Sequence, residues 1–126
     1  KITKDNINSL AYCDYIIDAC DDIEAKVALI KYAKENNIKI ISALGTGKRL
    51  NPTSVVIAKL EETQNDALAK KLRSVLRKEE IDLDVPVVYA SDVPLNNDAS
   101  VASSIFPPAV AGLYLAYYVI NDIIKE

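Results

Sequence analysis

The stretch DYIIDACDDIEAK, from Asp14 to Lys26, decides how the rest of the sequence is read. An apolar run, Tyr15-Ile16-Ile17, leads into Asp18, Asp21 and Asp22, and an amphipathic segment follows. Within YCDYIIDAC the continuous apolar core has the length of a buried strand. Asp21 or Asp22 caps the next helix, because Asp accepts hydrogen bonds from the free N–H groups of a first turn. That helix reaches about Glu35, with Ile23, Val27, Ile30 and Ala33 recurring at helical spacing. Asn36 and Asn37 end it, since Asn tolerates the left-handed conformation. The β-branched run IKIISAL is a second strand. Strand, helix and strand with short links form a βαβ unit, which predicts parallel strands and a right-handed crossover.

Working outward, Thr3 to Leu10 reads as a short helix with Thr3 or Asp5 at its start. GTGKRLNPT is a loop, with two glycines and an Asn51-Pro52 turn signal. SVVIAKLEE is a third strand. DALAKKLRSVLRKEE is a strongly amphipathic helix, with Leu68, Leu72, Val75 and Leu76 on one side. VPVVYAS is a fourth strand and LNNDASVASSI is polar and irregular. FPPAVAGLYLAYYVINDIIKE begins a last helix at its prolines. The expectation is one α/β domain over residues 1–126, a mixed sheet of about four strands with about three main helices.

Composition narrows the function classes. The chain has 126 residues, half of them hydrophobic and 26% charged, which suits a globular domain with a sizeable core. A net charge of −3 argues against a broad basic surface dedicated to nucleic acid and leaves room for a local patch. With no histidine, catalysis falls to Asp, Glu, Lys, Arg, Ser, Tyr, Cys or a metal. Cys13 and Cys20 are seven apart, outside the spacing of a zinc pair, so no structural zinc is expected. Free thiols and the lack of a signal peptide fit a reducing cytoplasm. The last helix is too short and interrupted for a confident membrane span, which needs about 20 apolar residues. The opening KITKDN lacks a starting methionine, so the chain is read as part of a longer one.

Ligands of open α/β sheets sit beyond the carboxyl ends of parallel strands. DACDD ends the first strand and GTGK ends the second, so both flank that position. Asp21 can hold magnesium, which prefers one or two carboxylates plus substrate phosphates. Gly45 and Gly47 let a ligand approach the backbone, or simply make a turn. Lys70, Arg73 and Arg77, with Lys71 and Lys78, are either a solvated face or a grip on phosphates. Cys20, between a strand end and a helix start, is either a thiol of lowered pKa or a small buried hydrophobe.

DACD, SALGTGKRLNPT, DALAKKLR and FPPAVAGL, taken in order, resemble the tRNA threonylcarbamoyladenosine dehydratases. These belong with ThiF, MoeB and HesA among the ubiquitin-activating-enzyme-like adenylating proteins. The resemblance covers about Ile2 to Ile124. It implies a Rossmann-like, C-terminal half of a ThiF-type adenylating fold. It also implies ATP and Mg2+ as cofactors, tRNA carrying threonylcarbamoyladenosine as partner, and a homodimer. The implied reaction adenylates the substrate carboxylate and then cyclises the modified nucleoside. Asp21 matches the family's magnesium-ATP aspartate, Asp18 and Lys26 take supporting roles, and Lys70 and Arg73 are substrate-side candidates. The family's glycine-rich nucleotide loop has no counterpart here, so the chain alone is expected to be inactive. Two alternatives stand beside this reading: a ThiF- or MoeB-like fragment adenylating a sulfur-carrier protein, and a non-catalytic α/β binding or dimerisation module.

Overall fold

A computed structural model describes residues 3, 5–7, 13–45, 52–91 and 106–125. The elements are β1 (Tyr15–Asp18), α1 (Ile23–Glu35), β2 (Lys39–Ala43), β3 (Val55–Lys59), α2 (Ala67–Lys78), β4 (Pro86–Ala90) and α3 (Phe106–Ile124). The strands form one sheet in the order β1-β2-β4-β3. β1 and β4 both run parallel to β2, while β3 is antiparallel to β4, so the sheet is mixed as expected.

Local chemistry sets the boundaries. Asp22 is the cap of α1, its carboxylate accepting from Glu24 N–H at 3.2 Å. That leaves Asp21 outside the helix. Asn37 takes a φ of 54°, the left-handed turn anticipated at the helix end. β3 is shorter than its apolar run: Leu60–Glu62 tightens into a 3-10 turn. There the Glu62 carboxylate reaches back to Lys59 N–H at 3.1 Å. Of the expected helix over Thr3–Leu10, residues 4 and 8–10 lie outside the described residues. Its start is a turn in which Thr3 Oγ1 accepts from Asp5 N–H at 3.3 Å. The 46–51 part of the GTGKRLNPT loop and the LNNDASVASSI segment also lie outside them.

Three layers result. α1 and α2 pack on one sheet face, closing a core of Ile16, Ile30, Ile40, Leu72, Leu76 and Val87. α3 covers the other face, with Ala111, Leu115 and Val119 against Ile41, Val55 and Val88. The i, i+4, i+8 spacing of those α3 residues points one helix face inward. The opposite face leaves Leu113, Tyr117, Ile120 and Ile124 exposed. Among the described residues, no helix is long and apolar enough to cross a membrane.

Leu76 is fully buried in the α2 layer. Leu76→Ala is expected to destabilise the fold by about 2–5 kcal/mol, since truncating a buried Leu removes both contacts and transfer energy. Urea denaturation measures this, and a change below about 1 kcal/mol would show a loose core.

Candidate functional site

The C-terminal ends of β1 and β2 open into a cleft of about 390 Å³. Ala19, Cys20 and Asp21 form one wall, Ala43, Leu44 and Gly45 the second. Leu68 of α2 and Ala111, Gly112 and Leu115 of α3 close it. A smaller cavity of about 260 Å³ lies between α1 and Ile7, away from the strand ends. The larger cleft is where a parallel sheet presents ligands.

A buried ion pair underlies the cleft. Lys26 Nζ donates to Asp18 Oδ2 at 3.0 Å, and both side chains are fully buried. The same ammonium donates to the Ala43 carbonyl at 2.6 Å. Asp18 Oδ1 accepts from Cys20 N–H at 2.9 Å. One cation therefore ties the first turn of α1 to the ends of both cleft-forming strands. Asp18 and Lys26 spend these groups inside the protein. Asp21, by contrast, is exposed at the rim and is the only charged side chain among the described residues lining the cleft.

Gly45 has a tight neighbour. Its N–H donates to Asp66 Oδ2 at 3.1 Å, and a Cβ there would overlap the Asp66 carboxylate. Asp66 also caps α2, Oδ2 accepting from Ala69 N–H at 3.2 Å. A glycine at position 45 thus lets the α2 cap approach the end of β2. Gly47 lies outside the described residues.

Lys70 is exposed on α2. Arg73 is half-buried, its Nη1 donating to the Thr63 carbonyl at 3.3 Å and also to the Thr63 hydroxyl. Arg73 therefore pins α2 to the segment after β3. A lowered Cys20 pKa is not what the surroundings produce. Burial first, and then the Asp18 carboxylate, push the thiol above its ordinary range, with Lys26 offsetting part of the rise. Its surroundings disfavour the thiolate and give no support to a nucleophilic role.

Three contributors escaped the sequence reading. Asp66 carried the signal of a cap residue opening DALAKKLR. Gly112, inside an otherwise helical run, carried the signal of a glycine kept where helix propensity argues against it. A Cβ added there would meet nothing within 4 Å, so Gly112 widens the cleft rather than easing a clash. Leu68 carried no signal beyond its place on the apolar side of α2.

No protein-family model matches the chain. The tRNA threonylcarbamoyladenosine dehydratase of Bacillus subtilis (strain 168) is 33% identical over 131 aligned residues, covering 90% of this chain and 52% of that protein. The enzyme of the same name from Haemophilus influenzae is 47% identical over 66 residues, covering 52% of this chain and 25% of that one. The crystal structure of the E. coli tRNA N6-threonylcarbamoyladenosine dehydratase TcdA in complex with AMP superposes with a TM-score of 0.88 at 25% identity. That match covers 98% of this chain and 54% of TcdA. The same enzyme in complex with ATP superposes with a TM-score of 0.79. The chain spans about half the length of the Bacillus relative it matches.

Fold and cleft together define a Rossmann-like, mixed-sheet α/β chain of the kind seen in the E. coli dehydratase TcdA. Within that class its relatives, by sequence and by fold, are the tRNA threonylcarbamoyladenosine dehydratases.

Lys26→Met is expected to cost about 3–5 kcal/mol, because it strands a buried carboxylate. Adding Asp18→Leu should return most of that loss, since a buried ion pair replaced by apolar side chains is often near neutral. Thermal or urea melts of the single and double variants decide this. Equal losses in both would mean the pair contributes more than mutual neutralisation.

Proposed function

We propose that this chain supplies one side of an ATP-dependent adenylating site that acts on threonylcarbamoyladenosine in tRNA. The observation that carries the reading is the cleft at the ends of β1 and β2, with Asp21 at its rim, in a fold that superposes on AMP- and ATP-bound TcdA. The chain matches about half of its relatives' length, so a complete site of that kind draws on further residues.

The donor set fits magnesium held jointly with a nucleotide. Among the described residues no cluster of three or more potential ligands exists, so an all-protein cage is not what they offer. One exposed carboxylate beside a cleft of small residues suits an ion that takes one or two carboxylates and leaves its other positions to phosphates and water. Bound there, magnesium would neutralise charge developing on pyrophosphate.

Each of this chain's residues then has a task. Asp21 would hold the cation, whose charge would serve the phosphates. Lys26 and Asp18 fix the Asp21 segment relative to the end of β2, and Gly45 keeps that end open and joined to α2. Lys70 and Arg73 serve the substrate side, Arg73 by setting how α2 sits. A carboxylate is a poor electrophile until one oxygen becomes part of a leaving group. In the first step a carboxylate oxygen of the nucleoside bonds to the α-phosphorus and pyrophosphate leaves. In the second, a group of the same nucleoside attacks the activated carbonyl and AMP leaves.

A homodimer belongs to this reading, and the exposed apolar stripe of α3 gives it a surface. Tyr117→Glu is expected to shift sedimentation toward the monomer. An unchanged sedimentation coefficient would remove α3 from the interface.

Calorimetry of magnesium-ATP binding tests the site, comparing this chain with the longest reading frame that contains it. The longer form should bind, and Asp21→Ala should weaken binding at least about tenfold, or 1.4 kcal/mol. Unchanged affinity in that variant would remove Asp21 from the nucleotide.

A further inference from the structure

We infer that the cleft at the ends of β1 and β2 takes the purine base of the nucleoside being activated, and that Gly112 of α3 limits the size of the group it admits. The identity of the nucleoside rests on the proposed function; the chemistry and shape of the cleft are observations of their own.

The described lining is unsuited to phosphate. It holds no Lys or Arg, and its one charged side chain, Asp21, is an acid at the rim. The cation beneath it, Lys26, is fully buried and spent on Asp18 and the Ala43 carbonyl. A helix start can bind an anion through its free N–H groups. Both helices that begin beside the cleft, however, are capped from within. Asp22 accepts from Glu24 N–H on α1, and Asp66 accepts from Ala69 N–H on α2 and from Gly45 N–H. A polyphosphate placed inside would meet carboxylates where it needs donors. Phosphates belong at the rim, where Asp21 can share a cation with them.

The interior offers apolar surface instead. Ala19, Ala43 and Leu44 come from the strand ends, and Leu68, Ala111 and Leu115 face them from the helices. The volume, about 390 Å³, falls in the range of small-molecule sites, roughly 300–1,000 Å³. Apolar walls on facing elements suit a flat ring with two apolar faces. A base that undergoes chemistry is taken out of its stack and held between apolar side chains in such a pocket. The carboxylate-bearing chain on that base would then leave the cleft past Asp21, toward the nucleotide.

Gly112 bears on size. Only Pro is a poorer helix residue than Gly, yet position 112 lies inside the 19-residue α3. Its φ is not positive, so the backbone does not call for glycine. A Cβ there would meet nothing within 4 Å, so packing does not call for it either. Gly112 does line the cleft beside Ala111, and a side chain at this position would take up the space of a ligand.

The experiment is calorimetry on the longest reading frame that contains this chain. It is titrated separately with magnesium-ATP, with free threonylcarbamoyladenosine, and with N-carbamoylthreonine, which carries the carboxylate without the base. The wild type should bind the nucleoside at least about tenfold more tightly than the base-free acid, or about 1.4 kcal/mol. Gly112→Leu should weaken nucleoside binding at least about tenfold and leave ATP affinity unchanged, with Gly112→Ala intermediate. Thermal melts should show both variants at least as stable as the wild type, because Ala and Leu are better helix formers than Gly. Equal affinity for nucleoside and base-free acid, or unchanged nucleoside affinity in Gly112→Leu, would overturn the inference. A lowered melting temperature in both variants would make Gly112 a packing residue and overturn its role as a size limit. Should Gly112→Leu weaken ATP as much as nucleoside, the base in the cleft is that of ATP, and the inference fails while the adenylating reading stands. Should the long form bind nucleoside in a Gly112-dependent way but no ATP, the adenylating reading fails and the base site stands.

Discussion

The Lys26 ammonium is the point on which the cleft depends. It sits in the first turn of α1, yet its two partners are the Asp18 carboxylate at the end of β1 and the Ala43 carbonyl at the end of β2. Burying an ion costs several kcal/mol, and the cost is offset only where geometry and further hydrogen bonds are good. Here Asp18 also accepts from Cys20 N–H, so the carboxylate holds the chain as it leaves the strand. The next residue is Asp21. Its carboxylate is exposed because the cap of α1 falls to Asp22 and the buried charge falls to Asp18. Three aspartates within five positions thus divide three tasks, and only one of them is left for a ligand.

A second tie mirrors the first across the cleft. Asp66 caps α2 and accepts from Gly45 N–H, joining the end of β2 to the start of the second helix. Each wall is therefore fixed by a carboxylate, Asp18 through Lys26 Nζ and Cys20 N–H, Asp66 through the N–H groups of Gly45 and Ala69. Much of the lining is small enough to leave volume: Ala19, Ala43, Gly45, Ala111 and Gly112. Rigid walls lined by small residues are what a site needs in order to orient a ligand without remodelling.

Much of this was legible in the sequence, and the limits have physical reasons. Apolar runs and helical spacing located the four strands and three α-helices, but not the 3-10 turns at Pro52–Ser54 and Leu60–Glu62. Capping chemistry bracketed the start of α1 to two aspartates but could not choose between them, because both side chains can reach a first-turn N–H. Lys26 was placed near the site by resemblance, but its burial was not readable. A lysine in an amphipathic helix ordinarily marks the solvent face, and its partner lies eight residues earlier on a strand. The tie between Gly45 and Asp66 spans 21 residues and depends on how α2 docks, which no local pattern encodes. Arg73 and Lys70 look alike in a helical projection. Only the course of the segment after β3 turns one inward to Thr63 and leaves the other in solvent.

The same distinction bears on charge. A net charge of −3 sums acidic residues on α1, on the 3-10 turn after β3 and on the turn after α2 with a helix that holds no acid at all. Salt screens charges farther apart than a Debye length of roughly 8–10 Å, so a ligand at α2 responds to the helix's own cations and to Asp22, Glu24 and Glu79, which share a groove with Lys71, rather than to the total. Segregating cations onto one helix has a cost in self-repulsion that packing must offset, and here the buried Ala69, Leu72 and Leu76 and the Arg73–Thr63 hydrogen bonds supply it. The helix is thus held by its inner face and by one inward-turned arginine. Its outer cations are left uncommitted beside the cleft whose wall Asp66 secures. Net charge therefore excludes a globally basic protein and says little about a 12-residue surface.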